Sequence, residues 1–142
     1  MISATITLET QFYDLDPMVV VWHGNYPRYL ERARSALLTH IGYNYGEMQA
    51  AGLMWPIVDM QIKYVVSLRF PQRFTVTATL IEYENRIRIA YRICDMNGRV
   101  MTKATTTQVA VDVATGEMQF VSPAELLEKV AACLAKDTSS AG

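Results

Sequence analysis

No apolar stretch in this sequence reaches the roughly 20 residues needed to span a bilayer, which excludes a membrane-spanning helix. Cysteine is scarce: Cys94 and Cys133 are the only two. They have no metal-ligand spacing, so no metal site is expected, and free thiols idle in a reducing cytosol are the ordinary reading. Lysine and arginine total 13 against 14 acidic residues, for a formal charge of -1. Without a basic run, the chain lacks the electrostatic footprint of a nucleic-acid or acidic-membrane binder. No glycine-rich phosphate loop follows a strand pattern. The segment Met1 to Gln11 alternates Thr and Glu with apolar residues, unlike the basic flank and unbroken apolar core of a secretory signal, so a cytoplasmic location is expected.

What is present suffices for one core. The 142 residues are 51% hydrophobic and 19% charged, far from the composition of a disordered chain and of ordinary size for one domain. From Ala4 to Phe12, Ile6, Leu8 and Phe12 alternate with Thr5, Thr7, Glu9 and Gln11, the period of a half-buried strand. After Asn25 the period changes. Tyr26, Tyr29, Leu30, Ala33, Leu37 and Ile41 recur at intervals of three and four, which predicts an amphipathic helix about 24 Å long. Asn25 suits its N-cap, Pro27 its first turn and Gly42 its stop. A short helix is expected from Tyr45 to Ala51.

Alternating runs then predict strands over Ile57 to Tyr64, Phe74 to Leu80, Ile87 to Ile93 and Met101 to Val113. Asn97-Gly98 suits the two positive φ angles of a tight hairpin turn. A last helix is expected from Pro123 to Leu134, capped by Ser122. Residues 1–135 read as one domain, and the polar tail 136–142 as disordered. This order implies an α+β fold with an antiparallel sheet packed on one helix. Ile81 and Ala90 add apolar groups to the sheet's other face, which suggests an oligomer.

Candidate chemistry concentrates between the first strand and the long helix. Asp14, Asp16, Trp22, His23, Asn25 and Tyr26 fall within 15 positions, and nothing comparable occurs elsewhere. A helix N-terminus offers unpaired N–H groups and partial positive charge to an oxygen that becomes negative during acyl transfer. Donors near His23 and Gly24 suit that role, and Asp16 can activate water or attack a carbonyl itself. Each residue also has an ordinary reading. Asp16-Pro17 can simply form a turn, His23 can satisfy a backbone carbonyl, Asn25 can cap the helix, and Trp22 and Tyr26 can be core or interface aromatics.

The segment Phe12-Tyr13-Asp14-Leu15-Asp16-Pro17 through Trp22-His23-Gly24-Asn25-Tyr26, followed by Tyr29-Leu30-Glu31-Arg32-Ala33-Arg34, resembles the hotdog-fold thioesterases of the 4-hydroxybenzoyl-CoA thioesterase-like branch. The likeness continues through Tyr64, Arg69-Phe70 and Asn97-Gly98 to Pro123. It implies a hotdog fold, with a long helix wrapped by the sheet, in a homodimer or homotetramer with sites between subunits. The implied activity is hydrolysis of an acyl thioester, with coenzyme A or phosphopantetheine part of the substrate rather than a cofactor. An acyl carrier protein is a further candidate partner. The family's catalytic acid falls on Asp16, His23 falls near the thioester carbonyl, and Asn25-Tyr26 match the pair that opens the helix; Asp14 then reads as a structural acid, capping a turn near Pro17.

The departures are Met18 and Val19 where relatives carry small residues, which points to a reshaped acyl pocket. Ser67 stands for a common Pro, and Gln72 for a common Asp. Trp22, Gly24, Asn25, Tyr26, Met18 and Val19 are the expected substrate contacts. Arg69, Arg73, Arg86 and Arg88 are candidates for the carrier phosphate, because guanidinium binds phosphate in bidentate fashion. The rival readings are a hotdog dehydratase or hydratase, disfavoured because its Asn-Pro or Pro-rich segment is missing around Asp16 to His23, and a non-catalytic acyl-thioester-binding partner.

Overall fold

The alternation and the helical period materialise nearly where the sequence places them. In the computed structural model, which describes residues 1–141, β1 spans Ser3–Glu9, α1 Tyr26–Ile41 and α2 Tyr45–Ala50. Next come β2 (Leu53–Met54), β3 (Ile57–Tyr64), β4 (Arg73–Glu82), β5 (Ile87–Asp95), β6 (Val100–Gln108), β7 (Val111–Asp112) and α3 (Ala124–Ala141). Five strands form one antiparallel sheet in the order β1-β4-β5-β6-β3, and β2 pairs with β7 beside it.

Alternate residues of β4 (Phe74, Val76, Ala78, Leu80) and β5 (Ile87, Ile89, Tyr91, Ile93) are buried, and they form the core with Leu30, Ala33 and Leu37 of α1. Leu126 and Val130 of α3 close it. This is the α+β hotdog arrangement, with α1 as the rod that the sheet wraps.

The structure corrects three local expectations. β1 ends at Glu9, and Phe12–Asp14 form a 3-10 turn that leaves Phe12 exposed. Thr10 starts that departure, donating its N–H to the carbonyl of Gln72 at 2.9 Å and its hydroxyl to that of Arg69 at 2.8 Å. At Asn97-Gly98 only Gly98 has positive φ, because the turn is organised by Asp95, whose Oδ1 accepts from the N–H groups of Asn97 and Arg99. The last helix runs to Ala141 rather than stopping at Leu134, since Lys, Ala and Asp continue it without a breaker. Of the expected tail, 136–141 therefore belong to this helix and Gly142 lies outside the described residues.

On the sheet's outer face Ile81 is exposed and Ala90 half-buried, as expected. Across the middle of that face Thr5, Thr77, Arg92, Lys103 and Lys63 lie in register over the five strands. Further exposed apolar side chains gather along β3 and just beyond it, at Val58, Met60, Tyr64 and Val65. β3 is an edge strand, with β6 as its single neighbour in the sheet. Among the described residues no helix is long and apolar enough to cross a membrane.

Candidate active site

Asp14 is the anchor of the loop between β1 and α1. It is 7% exposed, and its Oδ2 accepts from the Gln11 N–H at 2.8 Å and the Tyr29 hydroxyl at 2.9 Å. Its carbonyl accepts from the Trp22 N–H and from the Asn25 side-chain amide, both at 2.9 Å. One residue thus ties together both ends of the loop and the second turn of α1. Burial raises the Tyr29 hydroxyl above the usual tyrosine value, and its hydrogen bond to Asp14 adds to the shift.

Asn25 is therefore not the side-chain cap its residue type suggests: it already has helical φ and ψ, and its amide is spent on Asp14. A 3-10 turn over His23–Asn25 leads directly into α1. The N–H groups of His23 and Gly24 open that turn and have no main-chain acceptor among the described residues. Tyr26 is buried and its hydroxyl accepts from the Leu68 N–H at 3.0 Å, which makes it a packing residue rather than an exposed substrate contact.

Asp16 sits at the base of a hairpin whose strands touch at Leu15 and Val21. Its N–H donates to Val20, its carbonyl accepts from Val19, both at 2.9 Å, and its Oδ1 accepts from the Met18 N–H at 2.8 Å. One carboxylate oxygen shapes the turn at Pro17, the task expected of Asp14, and Oδ2 takes no part in it. Val19 has φ of 60°, the one positive φ outside glycine among the described residues. Met18 and Val19 are both exposed at the tip of the turn.

His23 is exposed. Its carbonyl accepts from the Tyr64 hydroxyl at 2.9 Å, which fixes the turn to the end of β3, and its ring faces Tyr64 with centroids 6.3 Å apart. The Trp22 indole, 48% exposed, folds back over Gly24. A β-carbon on Gly24 would lie 2.5 Å from its Cη2, so the ring occupies the space that a side chain here would take.

The arginine candidates do not converge. Arg73 pairs with Glu9 and Arg86 with Glu82, at 3.5 and 3.0 Å, at opposite ends of the β4–β5 hairpin. At about 3.3 Å per residue the ten residues of β4 hold them some 30 Å apart. Arg88 lies opposite Glu82, and Arg69 is on the loop before β4.

Sequence reasoning missed a cleft of about 560 Å³ between α1, α2 and the start of β3, lined by Leu38, Met48, Trp55 and Pro56 with Arg34 and Gln108. Gln108 donates its amide to the Trp55 carbonyl at 2.8 Å, but among the described residues its buried Oε1 has no partner, nor has the buried Nη1 of Arg34. Buried polar atoms are normally satisfied. Their isolation depends on the fold and leaves no pattern in the sequence.

The sequence profile of the thioesterase-like superfamily matches residues 10–134. The protein YneP of Bacillus subtilis, an acyl-CoA thioesterase by provisional name, is 29% identical over 74% of this chain and 77% of its own. A DHNA-CoA thioesterase from Staphylococcus aureus superposes with a TM-score of 0.82 at 23% identity, covering 99% of this chain and 96% of that one. A 1,4-dihydroxy-2-naphthoyl-CoA thioesterase from Synechocystis gives 0.80 at 16% identity, covering 91% and 96%. The match to the profile spans the anchored loop, the rod helix and every strand of the sheet but β1, and the chain belongs to the thioesterase-like superfamily, as a thioester hydrolase on a hotdog fold.

Proposed function

We propose that the chain hydrolyses an acyl thioester at the loop before α1, with the free Oδ2 of Asp16 activating water or attacking the carbonyl carbon. The observation that carries this reading is the pose of Asp16: Oδ1 is fixed by the Met18 N–H while Oδ2 takes no part in the turn. The N–H groups of His23 and Gly24, at the positive end of α1, are the donors for the developing oxyanion.

The acyl group needs a second copy of the chain. Two β3 edges pairing antiparallel about a two-fold axis bring the Tyr64 end of one strand beside the Ile57 end of the other. Tyr64 holds His23, and Ile57 follows the Trp55-Pro56 wall of the cleft. The loop of one copy then addresses the cleft of the other. Exposed Val58, Met60 and Tyr64 supply the apolar surface for that pairing. The unpartnered Gln108 Oε1 and Arg34 Nη1 suit an acyl group carrying polar substituents, in keeping with the dihydroxynaphthoyl substrate of the Synechocystis structure.

Thiol release from a panel of aliphatic, aromatic and hydroxyaromatic thioesters, each offered on coenzyme A and on an acyl carrier protein, tests the activity and its preference. Asp16→Asn keeps an Oδ1 acceptor for the turn and removes only the charge. Its kcat should fall about 10²–10⁴-fold. Turnover equal to wild type would reject Asp16 as the catalytic acid, and a wild type that releases no thiol from any member of the panel would favour the non-catalytic binding partner, a reading supported by the recurrence of the same Asp-based turn at Asp95.

A further inference from the structure

At the far end of α1 from the loop, three side chains of different donor type converge. His40 lies in the last turn of α1, and Cys133 and Asp137 stand at i and i+4 on α3, hence on one face of that helix. A ligand atom from each lies within 4.8 Å of the other two. The His40 Nε2 and an Asp137 carboxylate oxygen are 3.8 Å apart, too far for a hydrogen bond. Ligands bound at 2.0–2.3 Å to a tetrahedral zinc ion stand roughly 3.3–3.8 Å from each other. The trio is thus within about 1 Å of side-chain adjustment of holding such an ion.

We infer that His40, Cys133 and Asp137 form a binding site for zinc or a similar borderline-soft divalent ion, with water as fourth ligand. The donor set of imidazole, thiolate and carboxylate belongs to this class of metal rather than to calcium or magnesium, which take oxygen alone. Water reaches the open position because the His40 and Asp137 side chains are 47% and 42% exposed. Cys133 is buried, and burial together with Asp137 raises its thiol. An entering cation displaces the proton from sulfur to solvent and forms the metal–sulfur bond, so binding weakens as pH falls.

The ion would join α3 to α1. From Tyr26 to His40 is about 21 Å along the helix, so the site acts on the docking of α3 and not on the chemistry at Asp16. It departs from the expectation of no metal because His40 lies far in sequence from the Cys133 and Asp137 pair, which alone is too small a set to announce a site.

The test uses the full, tag-free chain stripped of metal, titrated with Co²⁺ as spectroscopic probe and with Zn²⁺ by calorimetry and thermal unfolding. Expected are a saturable thiolate-to-cobalt charge-transfer band at one ion per chain, ligand-field bands of tetrahedral intensity, and a rise in Tm with Zn²⁺. Cys133→Ser should lose the charge-transfer band. His40→Ala, at an exposed position that leaves packing intact, should weaken Zn²⁺ binding at least tenfold and abolish the rise in Tm. No cobalt–thiolate band in the wild type, or equal Zn²⁺ affinity in His40→Ala, would overturn the site.

Discussion

Val19 and Gly98 occupy the same place in two turns of one design. In each, an aspartate three residues earlier accepts the N–H of that residue on its carbonyl and the N–H of the preceding residue on its Oδ1, as Asp16 does for Val19 and Met18 and Asp95 for Gly98 and Asn97. Each turn closes by the aspartate N–H donating to the residue after the pivot, Val20 in one and Arg99 in the other. The pivot has φ of 60° at Val19 and 87° at Gly98. A third loop, at Asp112, also pivots on a glycine, Gly116, with φ of 74°.

Val19 thus holds a β-branched side chain where the other two loops use glycine. The left-handed conformation costs an ordinary residue about 1–2 kcal/mol, partly offset by the greater freedom glycine loses on folding. Val19→Gly is expected to stabilise the protein by about 1 kcal/mol, raising Tm by about 3–5 °C. Gly98→Val should have the opposite sign. Thermal unfolding of the two variants checks this, and a Val19→Gly protein less stable than wild type would remove the account of strain.

The Trp22 ring and Gly24 make a reciprocal pair. Gly24→Ala is expected to fold, because the ring is half exposed and can swing away from the new methyl group. It should nevertheless shift the ring into a more solvated position, seen as stronger acrylamide quenching of Trp22 in a Trp55→Phe background. Trp22→Ala should make Gly24→Ala innocuous. If thioester KM changes in Gly24→Ala but not in the double variant, the ring position matters to substrate; identical quenching with and without the methyl group would refute the packing.

Asp14 and Asp16 should separate cleanly between stability and rate. Asp14→Ala removes the one oxygen that accepts from both the Gln11 N–H and the Tyr29 hydroxyl, and a buried unsatisfied group costs about 1–3 kcal/mol. Urea unfolding should register that loss. Asp16→Asn should leave the unfolding midpoint unchanged while removing turnover. The reverse allocation would exchange the roles given to the two acids.

Alkaline pH should weaken the fold through the tyrosine that clasps Asp14. Below about pH 10, the ordinary tyrosine value, Tyr29 keeps its proton in both folded and unfolded chains and its contribution is complete. As pH rises further, the unfolded chain releases that proton while the folded one keeps it. The unfolded state then binds fewer protons, and stability falls until pH passes the raised folded value. The same direction holds for Tyr26, Tyr43, Tyr64 and Tyr91, all raised first by burial. Tyr29→Phe should flatten the decline of stability between about pH 9 and 11, measured by urea titration; an unchanged slope would deny Tyr29 its part.

The long helix was legible because packing against a sheet imposes a period, and Tyr26–Ile41 carries it without interruption. The strands were legible for the same reason, with β4 and β5 buried on alternate positions as read. The site was legible only as a neighbourhood. Which of two aspartates is buried depends on Tyr29 and Gln11 reaching it, and Asn25 reads as a cap until Asp14 claims its amide. Asn97 suggested a second positive φ, but the Asp95 side chain supplies the turn differently. The cleft at Gln108 and the trio at His40 depend on residues brought together by the whole topology, and local composition carries no trace of either.

The clasp at Asp14 makes the loop separable. The bonds that fix it to the fold lie to either side of its tip, at Thr10, Asp14, Val21, His23 and Asn25, whereas Asp16 to Val20 bond chiefly to one another. Those five residues behave as an interchangeable cassette in a fixed socket. Their shape and chemistry can be rewritten, by engineering or by descent, without renegotiating the fold beneath them.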